Sequence, residues 1–250
     1  MNWADKAMLT RNGAGKPETS VANPWRVLPS TAPYVLPEDR LAIEAFNAKL
    51  PSTSPYRLDV ETVIPEPFIG SVTSASVVIL QLNPGFDPTT DPASHADRQF
   101  RTALFANLHY EQTAWPFYFF DPQFRDTHPG GRWWKSKTRK LAEAIPLRHL
   151  GQRLAVIEWF PYKSRRYKGG CTVPSQEYSL SLVSAALARG ARIVISRSRA
   201  LWERSIPDLQ RYPRKLTLSS VQNVALSPNN LQHEGKKTSA AWEVFIEALQ

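Results

Sequence analysis

The most constraining stretch of the chain is a short apolar run that ends in a turn. Residues 77–82 read VVILQL, with five apolar residues in six positions, and Asn83, Pro84 and Gly85 follow directly. A short, β-branched apolar run bounded by turn residues is typical of a strand that is buried on both faces. In open α/β sheets, ligands bind at the carboxyl ends of such strands, so Asn83 falls where a functional side chain is expected.

Strands and helices then alternate along most of the chain. Apolar runs predict strands at 76–82, 153–160, 191–198 and 221–231. Helical spacing and capping residues predict helices at 37–50, 94–108, 132–145, 175–190, 199–206 and 237–249. This alternation indicates an α/β fold with a parallel sheet and helices on both of its faces.

The length of 250 residues suits one main domain with an extension. Residues 1–54 combine a stretch rich in Pro, Gly and Ser with one helix, and we interpret them as an N-terminal arm. Residues 55–250 form the predicted α/β domain. No apolar run reaches the roughly 20 residues that a membrane helix needs, and the N-terminus lacks the apolar core of a signal peptide.

Cysteine use and charge indicate where the protein works and what it meets. Cys171 is the only cysteine, which fits a reducing cytoplasm, and we expect a cytoplasmic monomer without a membrane partner. The net charge is +9, and residues 130–170 alone contain eleven basic and two acidic residues. A solvated, solubilising face is one explanation. A polyanion is the other, namely single- or double-stranded DNA or possibly RNA.

The basic segment supplies the candidate phosphate-binding side chains. These residues would contact the nucleic-acid backbone without reading its sequence. They are Arg132, Lys135, Lys137, Arg139, Lys163, Arg165, Arg166 and Lys168.

Two proline-containing turns follow predicted strands. The first is the Asn83-Pro84-Gly85 turn, and the second is the segment 227–231, which reads SPNNL. The amides of Asn83, Asn229 and Asn230 can donate and accept hydrogen bonds without carrying charge, which suits a water, a phosphate or the edge of a planar base. Asn and Pro also favour ordinary turns, so either segment alone can be a plain loop.

Common catalytic signatures are missing from the sequence. There is no phosphate-cradling glycine loop, no GxSxG nucleophile motif and no histidine or cysteine spacing of a metal site. We therefore expect neither a metal nor an organic cofactor.

The segment VVILQLNPGF resembles the first motif of the uracil-DNA glycosylase superfamily, closest to its mismatch-specific and single-strand-selective branches. HADRQFRTALF (95–105) is similar to the start of the following helix in the mismatch-specific branch, and VALSPNNLQ stands where the family has its second motif. The resemblance covers residues 55–250. It implies a three-layer α/β/α sandwich around a four-stranded parallel sheet, and hydrolysis of the N-glycosidic bond of a deaminated or modified base that has left the helical stack.

The resemblance also implies residue roles. Asn83 would position the attacking water, Ser227 and Asn229 would act at the departing base and the phosphate, and Leu231 would fill the vacated stack as a wedge. Asn230, Phe86 and Glu158 are the base-binding candidates, with Phe86 as the stacking aromatic.

Glu158 departs from the family pattern, because many relatives carry an Asn near this position. An ionised Glu only accepts hydrogen bonds, whereas a Glu kept protonated by burial both donates and accepts. A carboxylate paired with a nearby Arg or Lys is the structural alternative.

The sequence thus predicts a DNA glycosylase-like hydrolase. Two other functions remain open: a non-catalytic nucleic-acid-binding module on the same fold, and a hydrolase for free nucleosides.

Overall fold

The computed structural model describes residues 21–220, 222–233, 235 and 239–250. Six strands lie in this part of the chain: β1 (Phe68–Ile69), β2 (Val77–Gln81), β3 (Leu154–Glu158), β4 (Arg192–Ile195), β5 (Lys215–Leu218) and β6 (Leu231–Gln232). The α-helices there are α1 (Arg40–Ala48), α2 (Asp91–Ala96), α3 (Arg98–Leu108), α4 (Pro122–Arg125), α5 (Pro129–Lys137), α6 (Arg139–Ala144), α7 (Leu147–Arg153), α8 (Gln176–Ala188), α9 (Arg199–Ser205) and α10 (Ser239–Glu247).

The six strands form one mixed sheet in the order β1-β3-β2-β4-β5-β6. The four inner strands are parallel to one another. The two-residue strands β1 and β6 pair antiparallel with β3 and β5 at the two edges. The α/β class is therefore confirmed, whereas the expectation of a purely parallel four-stranded sheet is corrected. Strands as short as β1 and β6 leave almost no periodic signal in the sequence.

The strand order has a topological switch point next to β2. The chain passes from β2 to β3 on one side and then crosses to β4 on the other. In open α/β sheets, such a switch point opens a crevice at the carboxyl ends of the strands. Every residue of β2 and β3 is buried, as their apolar runs predict. Gln81 of β2 is paired with Glu158 of β3 in the sheet register, so the carboxyl ends of these two strands are adjacent.

The predicted fourth strand is wrong. Residues 222–230 form an irregular loop, and the fourth parallel strand is β5, with the sequence KLTL. Val224 and Leu226 are buried, which explains the apolar signal of the loop. The backbone of the loop bonds elsewhere, because the N–H of Leu226 donates to the carbonyl of Lys137 and not to a strand.

The described part of the N-terminal arm packs against the α/β domain. Trp25, Leu36, Ile43 and Phe46 belong to the same hydrophobic core as the sheet strands. Residues 1–20, which complete the predicted arm, lie outside the described residues.

The helices that were predicted lie close to their expected positions, whereas the short helices α4 and α7 were not predicted. The helix predicted at 94–108 is split into α2 and α3 by Asp97, whose side chain accepts a hydrogen bond from the N–H of Phe100 and caps α3. The helix predicted at 132–145 is likewise divided, at Thr138, into α5 and α6. Within the described residues, no helix combines the length and the apolarity that crossing a membrane requires.

Candidate functional site

A cavity of about 710 Å³ opens at the carboxyl ends of β2 and β3. Gln81 and Glu158, the last residues of the two strands, line it together with Asn83. This volume lies within the range of roughly 300–1,000 Å³ that is usual for small-molecule sites. The cavity is therefore where a ligand is expected on an open α/β sheet.

The hydrogen bonds of Asn83 fix the orientation of its amide. Its Nδ2 donates to the Oγ of Ser164 at 3.2 Å and to the carbonyl of Pro84 at 3.1 Å. The Ser164 hydroxyl in turn donates to the carbonyl of Arg166, so it accepts from Asn83 with a lone pair. Both partners of Nδ2 are acceptors, which leaves Oδ1 as the acceptor atom of Asn83 that a water or a ligand can use.

Two aspartates hold the turn that carries Asn83. The carboxylate of Asp91, at the start of α2, accepts from the N–H of Asp87 at 2.9 Å. The Asp87 carboxylate accepts from the N–H and the hydroxyl of Thr89. The loop from β2 to α2 is thus braced by short-range side-chain bonds while Asn83 keeps a free acceptor.

Glu158 is a buried carboxyl group that forms no ion pair with a base among the described residues, although the charges of Lys163 and Arg197 act on it. It is 7% exposed, and its Oε2 is buried and has no hydrogen-bond partner among the described residues. Burial, reinforced by the negative charge of Glu66, raises the pKa of Glu158 to about 8. At neutral pH the group is mostly protonated, so it can donate one hydrogen bond and accept another.

Glu66, a second buried carboxyl group in the cavity wall, has the opposite protonation state. The carboxylate of Glu66 lies 2.6 Å from the Nζ of Lys163 and accepts from the Tyr118 hydroxyl at 2.8 Å. Burial by itself raises the pKa of Glu66, but the charge of Lys163 and the nearby His95 outweigh burial and lower the pKa far below its ordinary value. Glu66 is therefore ionised where Glu158 is neutral.

His95 completes this charged cluster as a neutral imidazole. Its Nδ1 accepts from the N–H of Ile64 at 3.1 Å, which places the ring proton on Nε2, 3.5 Å from the Glu66 carboxylate. Burial lowers the pKa of His95. Segment 95–105, which resembles the family, thus contributes a buried histidine that contacts Glu66 in the cavity wall.

His128 lines the cavity and was missed by the sequence reasoning, which saw only scattered histidines. Its Nδ1 accepts from the N–H of Gly130 at 3.0 Å, so the proton of the neutral ring is on Nε2. That Nε2 is buried and has no partner among the described residues, and burial lowers the pKa of His128 to about 4. His128 therefore supplies an uncharged N–H donor at neutral pH. The adjacent Pro and glycines in HPGG were the only hint, and they indicate a helix start rather than a ligand site.

Aromatic side chains and cations surround the opening. Phe86, the predicted stacking residue, is half-buried and lines the cavity together with Tyr167 and Trp133. The cationic side chains there are exposed: they are Arg165, Arg166 and Arg197. The arrangement can hold a planar ring within the cavity and an anion at its mouth.

The second proline turn does not join this cavity. None of residues 227–231 lines it. Leu231 is fully buried in β6, which corrects its prediction as an exposed wedge. Asn230 was predicted to bind a base, but its side-chain amide is hydrogen-bonded within the protein. Its Oδ1 accepts from Ser219 and Ser220, and its Nδ2 donates to two loop carbonyls. Ser227 is half-buried and Asn229 is exposed, and neither lines the cavity that Asn83 lines.

The predicted phosphate-binding residues separate into three groups. Lys163 is 6% exposed and bound to Glu66 and the carbonyl of Gly85, so it is a buried cavity cation and not a surface contact. Arg165 and Arg166 stand at the cavity mouth, and Lys168 is exposed beyond it. A shallow cleft next to α5 and α6 is lined by the third group, which comprises Arg132, Lys135 and Arg139, with Lys137 half-buried nearby.

A second cleft of about 680 Å³ adjoins the cavity and shares Phe86 and Arg165 with it. In the described part of the chain, none of the buried polar atoms that lack a partner belongs to a residue lining that cleft. Glu158 and His128, which line the cavity at the ends of β2 and β3, each have such an atom. Buried polar groups are normally satisfied, so unsatisfied ones indicate the cavity as the ligand site.

No three His, Cys, Asp or Glu side chains of the described residues come together closely enough to hold a metal ion. The chain was compared with models of protein families, with curated proteins and with solved structures, and none of the three comparisons finds a match. The functional argument therefore depends on the geometry of the cavity.

Proposed function

We propose that the protein is a glycosidase that releases a deaminated or modified base, of the uracil type, from DNA. The observation that carries the proposal is a pair of polar groups in the wall of one cavity: the carboxyl group of Glu158, whose buried Oε2 has no hydrogen-bond partner among the described residues, and the amide of Asn83. Together with the resemblance of VVILQLNPGF to the first motif of the uracil-DNA glycosylases, this pair fits a site that reads a neutral base and activates a water.

Base recognition would rest on Glu158. A protonated carboxyl group presents one donor and one acceptor, as an asparagine amide does. The edge of uracil offers a complementary pair, an imide N–H and a carbonyl, and cytosine offers another, an amino group and an unprotonated ring nitrogen. The raised pKa of Glu158 thus supports recognition of an uncharged base edge, and the choice between such bases depends on which carboxyl oxygen carries the proton.

The chemistry would rest on Asn83 and on charge stabilisation. The Oδ1 of Asn83 accepts from a water and orients it towards the sugar carbon. The bond between this carbon and the base nitrogen breaks, a bond from the carbon to the water oxygen forms, and the water proton ends on the released base. An amide is a weak base, so the nucleobase departs before the bond to water has formed. The sugar then has the character of a cation, and its stabilisation is electrostatic.

The departing base carries negative charge until it is protonated. His128, with its uncharged Nε2–H directed from a buried ring, is the donor that we assign to an oxygen of this base. In the family pattern the second motif has this role, but the 227–231 loop of this chain does not line the cavity.

The architecture also supports the proposal. The four adjacent parallel strands β3-β2-β4-β5 agree with the central sheet that the family resemblance implies, and we extend the proposal to a three-layer sandwich of that type. Arg165, Arg166 and Arg197 at the cavity mouth are positioned for the phosphates that flank a base inside it.

Base release from labelled oligonucleotides tests the proposal. We expect the wild-type protein to release uracil or a related base from a panel containing uracil, hypoxanthine, xanthine and a thymine mismatch. If every oligonucleotide binds but none loses its base, the protein is a binding module. If only free nucleosides are hydrolysed, it is a nucleoside hydrolase.

The pH dependence tests the role of Glu158. With a pKa of about 8, the carboxyl group loses its donor as the pH rises from 7 to 9, so base release should fall about tenfold between pH 7 and pH 9. Glu158→Gln keeps the donor and the acceptor at every pH, and we expect it to remove this alkaline loss. An unchanged alkaline limb in Glu158→Gln would contradict the assignment.

A further inference from the structure

Trp133 is an exposed aromatic side chain at the edge of the cavity. It is 38% exposed, and the other exposed large apolar residues of the described chain, Val27 and Leu41, do not line the cavity. A single exposed apolar side chain is ordinary on a protein surface, so the distinguishing feature of Trp133 is its position at a ligand cavity.

The ring of Trp133 is held in place by the protein core. It meets the ring of Trp134 edge to face, with centroids 4.7 Å apart and planes at 87°. Trp134 is 5% exposed and packs edge to face against the buried Phe117. A stacking surface that is already oriented loses little conformational freedom when a planar partner binds.

The surroundings of Trp133 are cationic. The Nζ of Lys137 lies 5.7 Å from the centroid of the ring. Arg132 and Lys135 are exposed on α5, which also carries Trp133, and Arg139 is exposed at the start of α6. Lys135 is paired with Asp126 at 2.5 Å. A partner for this surface therefore needs both a planar ring and negative charge, which are the properties of an unpaired nucleotide in a polynucleotide.

We propose that Trp133 is a stacking subsite for an unpaired base next to the base in the cavity, and that the substrate is a single-stranded polynucleotide and not a free nucleoside. This inference rests on the proposed function and specifies its substrate class. A nucleoside can occupy the cavity but has no second base to reach Trp133, whereas a strand can occupy both.

Binding can be measured without turnover. The probe is a short fluorescein-labelled single strand with one 2′-fluoro-2′-deoxyuridine, because the fluorine disfavours a cationic sugar and keeps the base attached. A second probe has abasic residues on both sides of this nucleotide, and a third is the duplex form of the first. Fluorescence anisotropy gives Kd for the wild type, Trp133→Ala, Trp133→Phe and the control Leu41→Ala.

On the first probe we expect Kd to rise about tenfold or more in Trp133→Ala, to change little in Trp133→Phe and to stay constant in Leu41→Ala. On the abasic-flanked probe, Trp133→Ala should match the wild type. An equal loss on both probes, or no loss on either, would overturn the stacking subsite. Duplex binding as tight as single-strand binding would overturn the requirement for an unpaired base.

The same proteins separate this inference from the proposed function. Release of uracil from the unfluorinated strand, with identical Kd values for Trp133→Ala and wild type, would leave the glycosidase and remove the subsite. The reverse result, a loss of affinity specific to flanking bases without any release of uracil, would leave a single-strand-binding site and remove the chemistry. Circular dichroism of each variant verifies that it is folded.

Discussion

The two proline turns are alike in sequence and opposite in structure. Each follows an apolar segment and combines Pro with Asn. The Asn83 turn leaves a parallel strand and lines the cavity. The 227–231 turn leaves an irregular loop and enters the antiparallel edge strand β6.

The two turns also differ in what their amides do. Asn230 uses both ends of its side chain to hold loop residues 219–225, while Asn83 uses only its Nδ2. An amide whose hydrogen-bonding capacity is filled by backbone groups fixes the fold, and one with a free acceptor facing a cavity is available to a ligand. The composition of a turn is therefore a weaker guide to function than its unused hydrogen bonds.

The largest expected effect concerns Asn83→Ala. The loss of the water-positioning oxygen should lower kcat for base release about a hundredfold, because even a small misplacement of a reacting group has a cost of this size. Stability should fall by only about 1 kcal/mol with the bond to Ser164. Quenched-flow or gel assays of base release, alongside urea unfolding, separate the two effects. A release rate equal to that of the wild type would contradict a catalytic role for Asn83.

Asn230→Ala should act on the other side of the comparison. The substitution leaves the carbonyls of Asn223 and Ala225 and the N–H of Ser220 without their partner, so we expect the free energy of unfolding to fall by about 3 kcal/mol. Urea denaturation measures this loss, and base release per folded molecule should be retained. A stable but inactive variant would mean that the second turn contributes to catalysis after all.

Asn229→Ala is expected to have the smallest effect and serves as the matched control for Asn230→Ala. Its side chain is exposed and does not line the cavity, so stability should change by less than about 0.5 kcal/mol and base release should be unaffected. A tenfold fall in release, measured on the same oligonucleotide, would place the second turn in contact with the substrate and break the comparison.

Several elements could be predicted because their signal is local. Strands β2, β3 and β4 are apolar runs, and α8 and α10 have helical patterns, so their positions follow from the side chains alone. Strand β5 could not be found in this way: KLTL is short and alternating, while the apolar residues of the loop after it gave a stronger but misleading signal.

The candidate site was predicted in part. Asn83, Phe86 and Glu158 line one cavity, as expected for residues that leave or end parallel strands. His128 and the ion pair between Glu66 and Lys163 were not foreseen, because these residues are far apart in the chain and only packing brings them to the cavity wall.

Local pattern was sufficient for the α/β class, for the position of Asn83 at the end of a buried strand and for the concentration of positive charge in residues 130–170. It was not sufficient to predict which carboxyl groups are ionised or which hydrogen-bond partners the asparagine side chains have. Glu66 is ionised because it is paired directly with Lys163, whereas Glu158 is neutral because burial and the charge of Glu66 outweigh the attraction of Lys163 and Arg197. Likewise, Asn230 binds its own loop and Asn83 faces a cavity because of neighbours that no single segment specifies. Burial and pairing are properties of the assembled structure, and they decide which of two similar turns is free to bind.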